Sequence, residues 1–180
     1  DSGSIYNSVF ILDDGKLIAR FDKVNLPNYG VFDDKRNFTS GKMPGPIMLR
    51  GLKIGFPICE DIWEPDVAEC LEESGADLII AMNASPFDST KPERRLQNAI
   101  ARGVETGLPV IYVTMLGGQD ELVYDGGSFA INTGGKLACW SPSFSDSVLV
   151  VTAKTAMGVL TSKGQLSPPD VNWRAHERGP

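Results

Sequence analysis

Three segments decide the fold: Leu52-Lys53-Ile54-Gly55-Phe56-Pro57-Ile58-Cys59, Asp77-Leu78-Ile79-Ile80-Ala81-Met82 and Pro109-Val110-Ile111-Tyr112-Val113-Thr114. The second and third are short, continuous apolar runs, the pattern of strands buried on both faces. Helical signals lie between the segments. Pro65 suits a first helical turn, where its missing N–H costs nothing, Val67, Cys70 and Leu71 follow at helical spacing, and Gly75 is a stop. Pro92 opens a longer helix. Its expected apolar face is Leu96, Ala99, Ile100 and Val104, with Glu93, Arg94, Arg95, Gln97 and Arg102 largely off it. Gly107 ends it. The order is β-α-β-α-β.

Strand signals continue on both sides. Ile5–Leu12 and Leu17–Phe21 read as a hairpin, because Asp13-Asp14-Gly15-Lys16 supplies the turn positions that favour φ > 0. Tyr124–Asn132, Lys136–Trp140 and Val148–Thr152 read as further strands separated by glycine-rich turns. After Thr155 the pattern gives way to Gly, Ser and Pro. The expectation is one α/β layered domain over residues 1–153 and a linker or tail over 154–180.

Composition narrows the function. The 180 residues are 42% hydrophobic and 22% charged, ordinary globular values. The net charge is −6 with no Lys/Arg run, which argues against a nucleic-acid surface. No apolar stretch approaches the roughly 20 residues of a membrane span. Three cysteines cannot all pair with one another, so a reducing, cytoplasmic setting is expected. The chain starts at Asp1, either a natural beginning or a cut through a longer domain.

The single histidine, His176, lies in the tail, so Ser-His or Cys-His catalysis within the domain has no base. Gly-rich phosphate loops and the Gly-x-Ser-x-Gly elbow are absent, and the separated cysteines make no zinc cluster. A cysteine nucleophile supported by lysine and carboxylate remains. Cys59 stands where a strand meets a helical turn, where backbone N–H groups favour thiolate and bind a developing oxyanion. By position alone the reading as an interior cysteine, among the commonest buried residues, is the stronger of the two. Lys23 at a strand end, and Asp33-Asp34-Lys35-Arg36 after it, read by themselves as solvated charges.

Four ordered motifs bear on those alternatives: Lys23-Val24-Asn25-Leu26-Pro27-Asn28-Tyr29-Gly30-Val31-Phe32-Asp33-Asp34-Lys35-Arg36-Asn37-Phe38, Pro57-Ile58-Cys59-Glu60-Asp61-Ile62-Trp63, Asn83-Ala84-Ser85-Pro86-Phe87 and Gly117-Gly118-Gln119-Asp120-Glu121-Leu122-Val123-Tyr124-Asp125-Gly126-Gly127-Ser128-Phe129. Together they resemble the carbon–nitrogen hydrolase (nitrilase) superfamily, and more narrowly its glutaminase branch within glutamine-dependent NAD synthetases. The resemblance covers roughly residues 4–152. It implies a four-layer α-β-β-α sandwich, incomplete at the N-terminal side.

The same resemblance implies that Cys59 attacks the carboxamide carbon of glutamine. Lys23 and the Glu60 backbone N–H would hold the oxyanion, and Glu60, Tyr29 and Ser85 would hold the substrate's amino-acid end. No cofactor is implied for the hydrolase domain; ATP with magnesium belongs to a synthetase domain absent here. Expected partners are glutamine, that synthetase domain and further copies in a homo-oligomer, with neither nucleic acid nor membrane. The family's glutamate general base is expected upstream of the stretch matched by residue 1, so this chain alone is expected to turn over glutamine negligibly. Asp34 stands where Glu is usual, Asn37 where an aromatic is usual and Thr114 where Asn is usual. Two other readings are a stand-alone amidase or nitrilase acting on another small amide, and an inactive fragment serving as an interaction module.

Overall fold

A computed structural model describes residues 3–154 and 159–163. The hairpin comes first: β1 (Ser8–Asp13) and β2 (Lys16–Asp22) pair antiparallel. Asp14 and Gly15 take φ of 49° and 70° in the turn between them. One short helical turn, α1 (Asp34–Asn37), follows, then β3 (Ile47–Leu49) and β4 (Leu52–Gly55). A tight 3-10 turn over Cys59–Ile62 leads into α2 (Pro65–Glu73), which has Pro65 in its first turn. Next come β5 (Leu78–Asn83), α3 (Lys91–Thr106) and β6 (Val110–Thr114). The chain continues through β7 (Leu116–Gln119), β8 (Leu122–Asp125), β9 (Phe129–Ile131), β10 (Leu137–Trp140), β11 (Val150–Lys154) and β12 (Val159–Lys163).

The central sheet has six strands in the order β10-β9-β6-β5-β4-β3. β4, β5 and β6 run parallel, as the β-α-β-α-β reading requires, and the outer strands are antiparallel. Its side chains alternate between two cores. Ile79, Ala81, Val110, Tyr112, Phe129 and Ile131 pack on the helix side with Val67, Leu71 and Ala99. Leu78, Ile54 and Ala130 face the other way, toward Ile11 and Phe21 of the first hairpin and Leu160 of β12. The described residues thus form a helix layer, a six-stranded sheet and a second layer of hairpins. The outer helix layer of the expected four-layer sandwich is not among them.

Several expectations need correcting. Arg95 and Arg102 are buried on α3, whereas Val104 is 57% exposed. The face α3 buries is Arg95, Ala99, Arg102 and Gly103, with Leu96 and Ile100 at its margin. Charge misled the pattern because the fold gives both guanidinium groups partners: Asp125 and the Ser85 carbonyl for Arg95, Glu105 and the Trp63 carbonyl for Arg102. The expected single strand over Tyr124–Asn132 is two, β8 and β9, broken at Gly126 and Gly127, each with φ 67°. The tail reading of 154–180 misses β12, which pairs antiparallel with β11; positions 155–158 and 164–180, His176 included, lie outside the described residues.

Candidate active site

The parallel strands end on one side of the sheet, the usual place for ligands in α/β folds. β4 runs by way of Ile58, which bridges to Met82, into the Cys59 turn, and β5 ends at Asn83 before Ala84 and Ser85. There, Asn7, Lys23, Phe32, Asp34, Ile58, Cys59, Met82, Asn83 and Ala84 enclose a cavity of about 300 Å³. Lys23 and Cys59, far apart in sequence, both line it.

Cys59 is 9% exposed and sits at φ 49°, a left-handed conformation costing a non-glycine residue about 1–2 kcal/mol. Such strain gathers at functional sites. Burial pushes its thiol up, the Lys23 ammonium pulls it down, Glu60 and Asp34 push it up, and Lys91 pulls it down; the balance is upward. Desolvation is the largest influence on this thiol, and the turn that offers it helix-end N–H groups is only four residues long. A base is needed to make this sulfur nucleophilic at neutral pH.

Lys23 is 3% exposed, and its Nζ donates to Asp34 Oδ2 over 2.6 Å. The expectation of a solvated Asp33–Arg36 turn holds for Asp33 and Arg36, whose 3.8 Å contact is exposed, and fails for Asp34. Asp34 is the partner that makes a buried ammonium tolerable at the end of β2. Among the residues lining the cavity it is also the sole carboxylate.

Beside this cavity a groove runs along Val24–Tyr29, Lys35, Phe38, Ser40, Glu60 and Glu64. The Tyr29 hydroxyl donates to Glu60, with contacts of 2.8 and 2.9 Å to its two oxygens. Partial burial first, then that bond, hold the Tyr29 hydroxyl above the ordinary phenol range. Tyr29 is 55% exposed, so the pair is presented to solvent at the groove mouth. Ser85 is buried just past Ala84, outside the residues enclosing the cavity, and its carbonyl accepts from Arg95 Nη2 over 2.8 Å. Arg95 Nη1 also bonds Asp125 Oδ1 at 2.7 Å, tying α3 to β8 and to the end of β5.

Sequence reading missed Lys91 as well. Its ammonium lies 5.2 Å from the Trp63 ring centre and 5.9 Å from that of Phe32, itself a cavity wall. Arg94 stacks on Trp63 at 5.3 Å. Only proximity in the fold reveals this cationic rim, since Trp63 and Lys91 are separated by α2 and β5.

The carbon-nitrogen hydrolase family model matches residues 1–161. The chain belongs to the carbon–nitrogen hydrolase family. This hydrolase chain is 42% identical over 151 residues to a glutamine-dependent NAD(+) synthetase of Rhodobacter capsulatus, covering 84% of itself and 27% of the relative. Against the enzyme of that name from Aquifex aeolicus it is 38% identical over 176 residues, covering 97% of itself and 30% of the relative. Among solved structures, a glutamine-dependent NAD+ synthetase of Acinetobacter baumannii in complex with ADP superposes with a TM-score of 0.86 at 35% identity, over 94% of this hydrolase chain and 32% of that one. An amidase of Nesterenkonia sp. AN1, with acrylamide added at its active-site cysteine, gives 0.62 at 28% identity over 71% and 49%. The hydrolase chain thus spans about three-tenths of the synthetase relatives.

No helix among the described residues is long and apolar enough to cross a membrane.

Proposed function

We propose that this chain is the glutamine amidohydrolase part of a glutamine-dependent NAD synthetase, releasing ammonia for amidation of nicotinic acid adenine dinucleotide. The observation that carries the chemistry is the shared cavity of Cys59 and Lys23, with the Lys23 ammonium anchored on Asp34. The names of the relatives support the branch.

In this reading the Cys59 thiol loses its proton to a carboxylate base and its sulfur adds to the glutamine carboxamide carbon. The Lys23 ammonium and the Glu60 backbone N–H stabilise the negative charge that gathers on the amide oxygen. Collapse expels the nitrogen as ammonia, which takes the proton, and leaves a γ-glutamyl thioester. Water then cleaves the C–S bond, giving glutamate and the thiol.

The substrate's ammonium group pairs with Glu60, already held by Tyr29, in a charge-assisted contact. The cationic rim of Lys91 and Arg94 is the complementary place for its α-carboxylate. Ser85 contributes from behind Ala84. ATP and magnesium serve the synthetase domain in this reading. Among the described residues, no group of three or more His, Cys, Asp or Glu is placed to hold a metal ion. The hydrolase domain runs through β12, and works in the cytoplasm as a homo-oligomer.

The test is glutamate release from glutamine by the protein expressed from its full reading frame, beside a Cys59→Ala control. Release that disappears with Cys59 supports the reading. Hydrolysis of simple aliphatic amides with no action on glutamine overturns it in favour of an amidase like that of Nesterenkonia.

A further inference from the structure

Asp61 is 2% exposed and takes no part in the chemistry above. Its Oδ1 accepts from the backbone N–H groups of Val24 (3.1 Å) and Asn25 (2.7 Å). Its Oδ2 accepts from the N–H of Ile58 at 3.0 Å. The Asp61 N–H in turn donates to the Ile58 carbonyl over 3.1 Å. One carboxylate therefore grips the two residues after Lys23 and the residue before Cys59.

That placement has two consequences. The reciprocal Asp61–Ile58 bonds close the turn in which Cys59 is held at φ 49°. The Val24 and Asn25 bonds fix the end of β2, from which the Lys23 side chain departs, against that same turn. Asp34 anchors only the far end of the Lys23 side chain. A second link, from Asn25 Nδ2 to Asp66 Oδ1 at 2.9 Å, extends the grip to the first turn of α2. Apolar packing has no comparable directionality, so these bonds set the registry of the two backbones.

We infer that Asp61 is a positioning residue that holds the Cys59 sulfur within the field of the Lys23 ammonium. The inference rests on the proposed Cys–Lys chemistry but not on glutamine being the substrate. Asparagine is the informative replacement, being nearly isosteric. Whichever way its amide is turned, an N–H2 must face either Ile58 or the Val24 and Asn25 donors, so one or two of the three bonds are lost.

The experiment measures the pH midpoint for alkylation of Cys59 by iodoacetamide, read by mass spectrometry of the Cys59 peptide in the full-length protein. In Asp61→Asn the midpoint should rise by roughly one unit, toward that of Lys23→Met. Adding Lys23→Met to Asp61→Asn should then shift it little further. The kcat for glutamine should fall about 10²-fold, the effect of a misplacement near 1 Å, while KM stays within roughly threefold. Asp61→Glu, which keeps the charge with one extra methylene, should recover part of both.

A folded Asp61→Asn protein with a lowered Tm but the wild-type midpoint, and an undiminished Lys23→Met shift, overturns the inference. Should Asp61→Asn not fold, Asp61→Glu decides. A midpoint and kcat both displaced from wild type support the inference, and wild-type values overturn it. Alkylation needs no substrate, so failure of the glutamine reading leaves this measurement intact. Conversely, normal glutaminase activity with an unmoved midpoint sinks the positioning role alone.

Discussion

The Lys23 ammonium and the Asp34 carboxylate meet at 2.6 Å, with side chains 4% and 17% exposed, at the cavity that Cys59 also lines. Removing one charge strands the other. Asp34→Asn keeps the shape and an acceptor but leaves Lys23 without its counter-charge. We expect a loss of about 3 kcal/mol, the lower end of the cost of breaking a buried pair, because Asp34 keeps some solvent. Urea unfolding measures it; a change below about 0.5 kcal/mol, the range of ordinary surface substitutions, would show that Lys23 is neutralised in another way.

Burial sets a pH dependence at Cys59. The folded-state thiol is held above its ordinary value of 9.0, chiefly by desolvation. The folded protein therefore keeps this proton where the unfolded chain gives it up. The stability linked to Cys59 is fully present below 9.0 and is lost as pH rises through the raised value. Cys59→Ser removes this titration, so the wild-type minus Cys59→Ser stability difference should shrink above pH 9. A difference that is flat with pH, or that grows, would contradict the sign.

The Arg95–Asp125 pair is the more deeply buried of the ion pairs among the described residues, at 2% and 1% exposure. Arg95→Leu leaves the Asp125 carboxylate and the Ser85 carbonyl without this donor. The expected cost is about 3–5 kcal/mol. Differential scanning calorimetry should show a large drop in Tm, and a near-wild-type transition would mean that solvent reaches Asp125.

Gly55 tests the packing of α2 on β4. A Cβ there would stand 2.5 Å from Leu71 Cδ1, and Leu71 is fully buried. Gly55→Ala should cost about 1–3 kcal/mol by overpacking. Combining it with Leu71→Ala should relieve part of that cost, which a double-mutant cycle of unfolding energies would reveal. Additive losses would place the strain elsewhere.

Legibility from sequence followed the physics of each signal. Leu78–Asn83 and Val110–Thr114 were readable because strands buried on both faces leave little room for polar residues. Pro65, Gly75 and Gly107 marked helix ends through backbone constraints that act locally. Cys59 and Lys23 were found through motif resemblance, and their common cavity appears only on folding. Arg95, Arg102 and Asp34 escaped because a charged residue is assigned to solvent unless its partner is known; Asp125 and Lys23 are distant in sequence from Arg95 and Asp34, and Arg102, besides Glu105 on its own helix, reaches the Trp63 carbonyl. Val104 shows the converse error, an apolar residue at helical spacing that lands just outside the contact.

The backbone angle at Cys59 sets fold against chemistry at a single codon. In a left-handed conformation glycine is the residue under least strain, and any side chain there carries a penalty of order 1 kcal/mol. A lineage released from the need for activity would find relief by mutating to glycine at this position, while β-branched residues would stay excluded. A cysteine in so strained a seat is what the proposed thiol chemistry requires, and its replacement by glycine in a related gene would mark a scaffold that has kept the fold and abandoned that reaction.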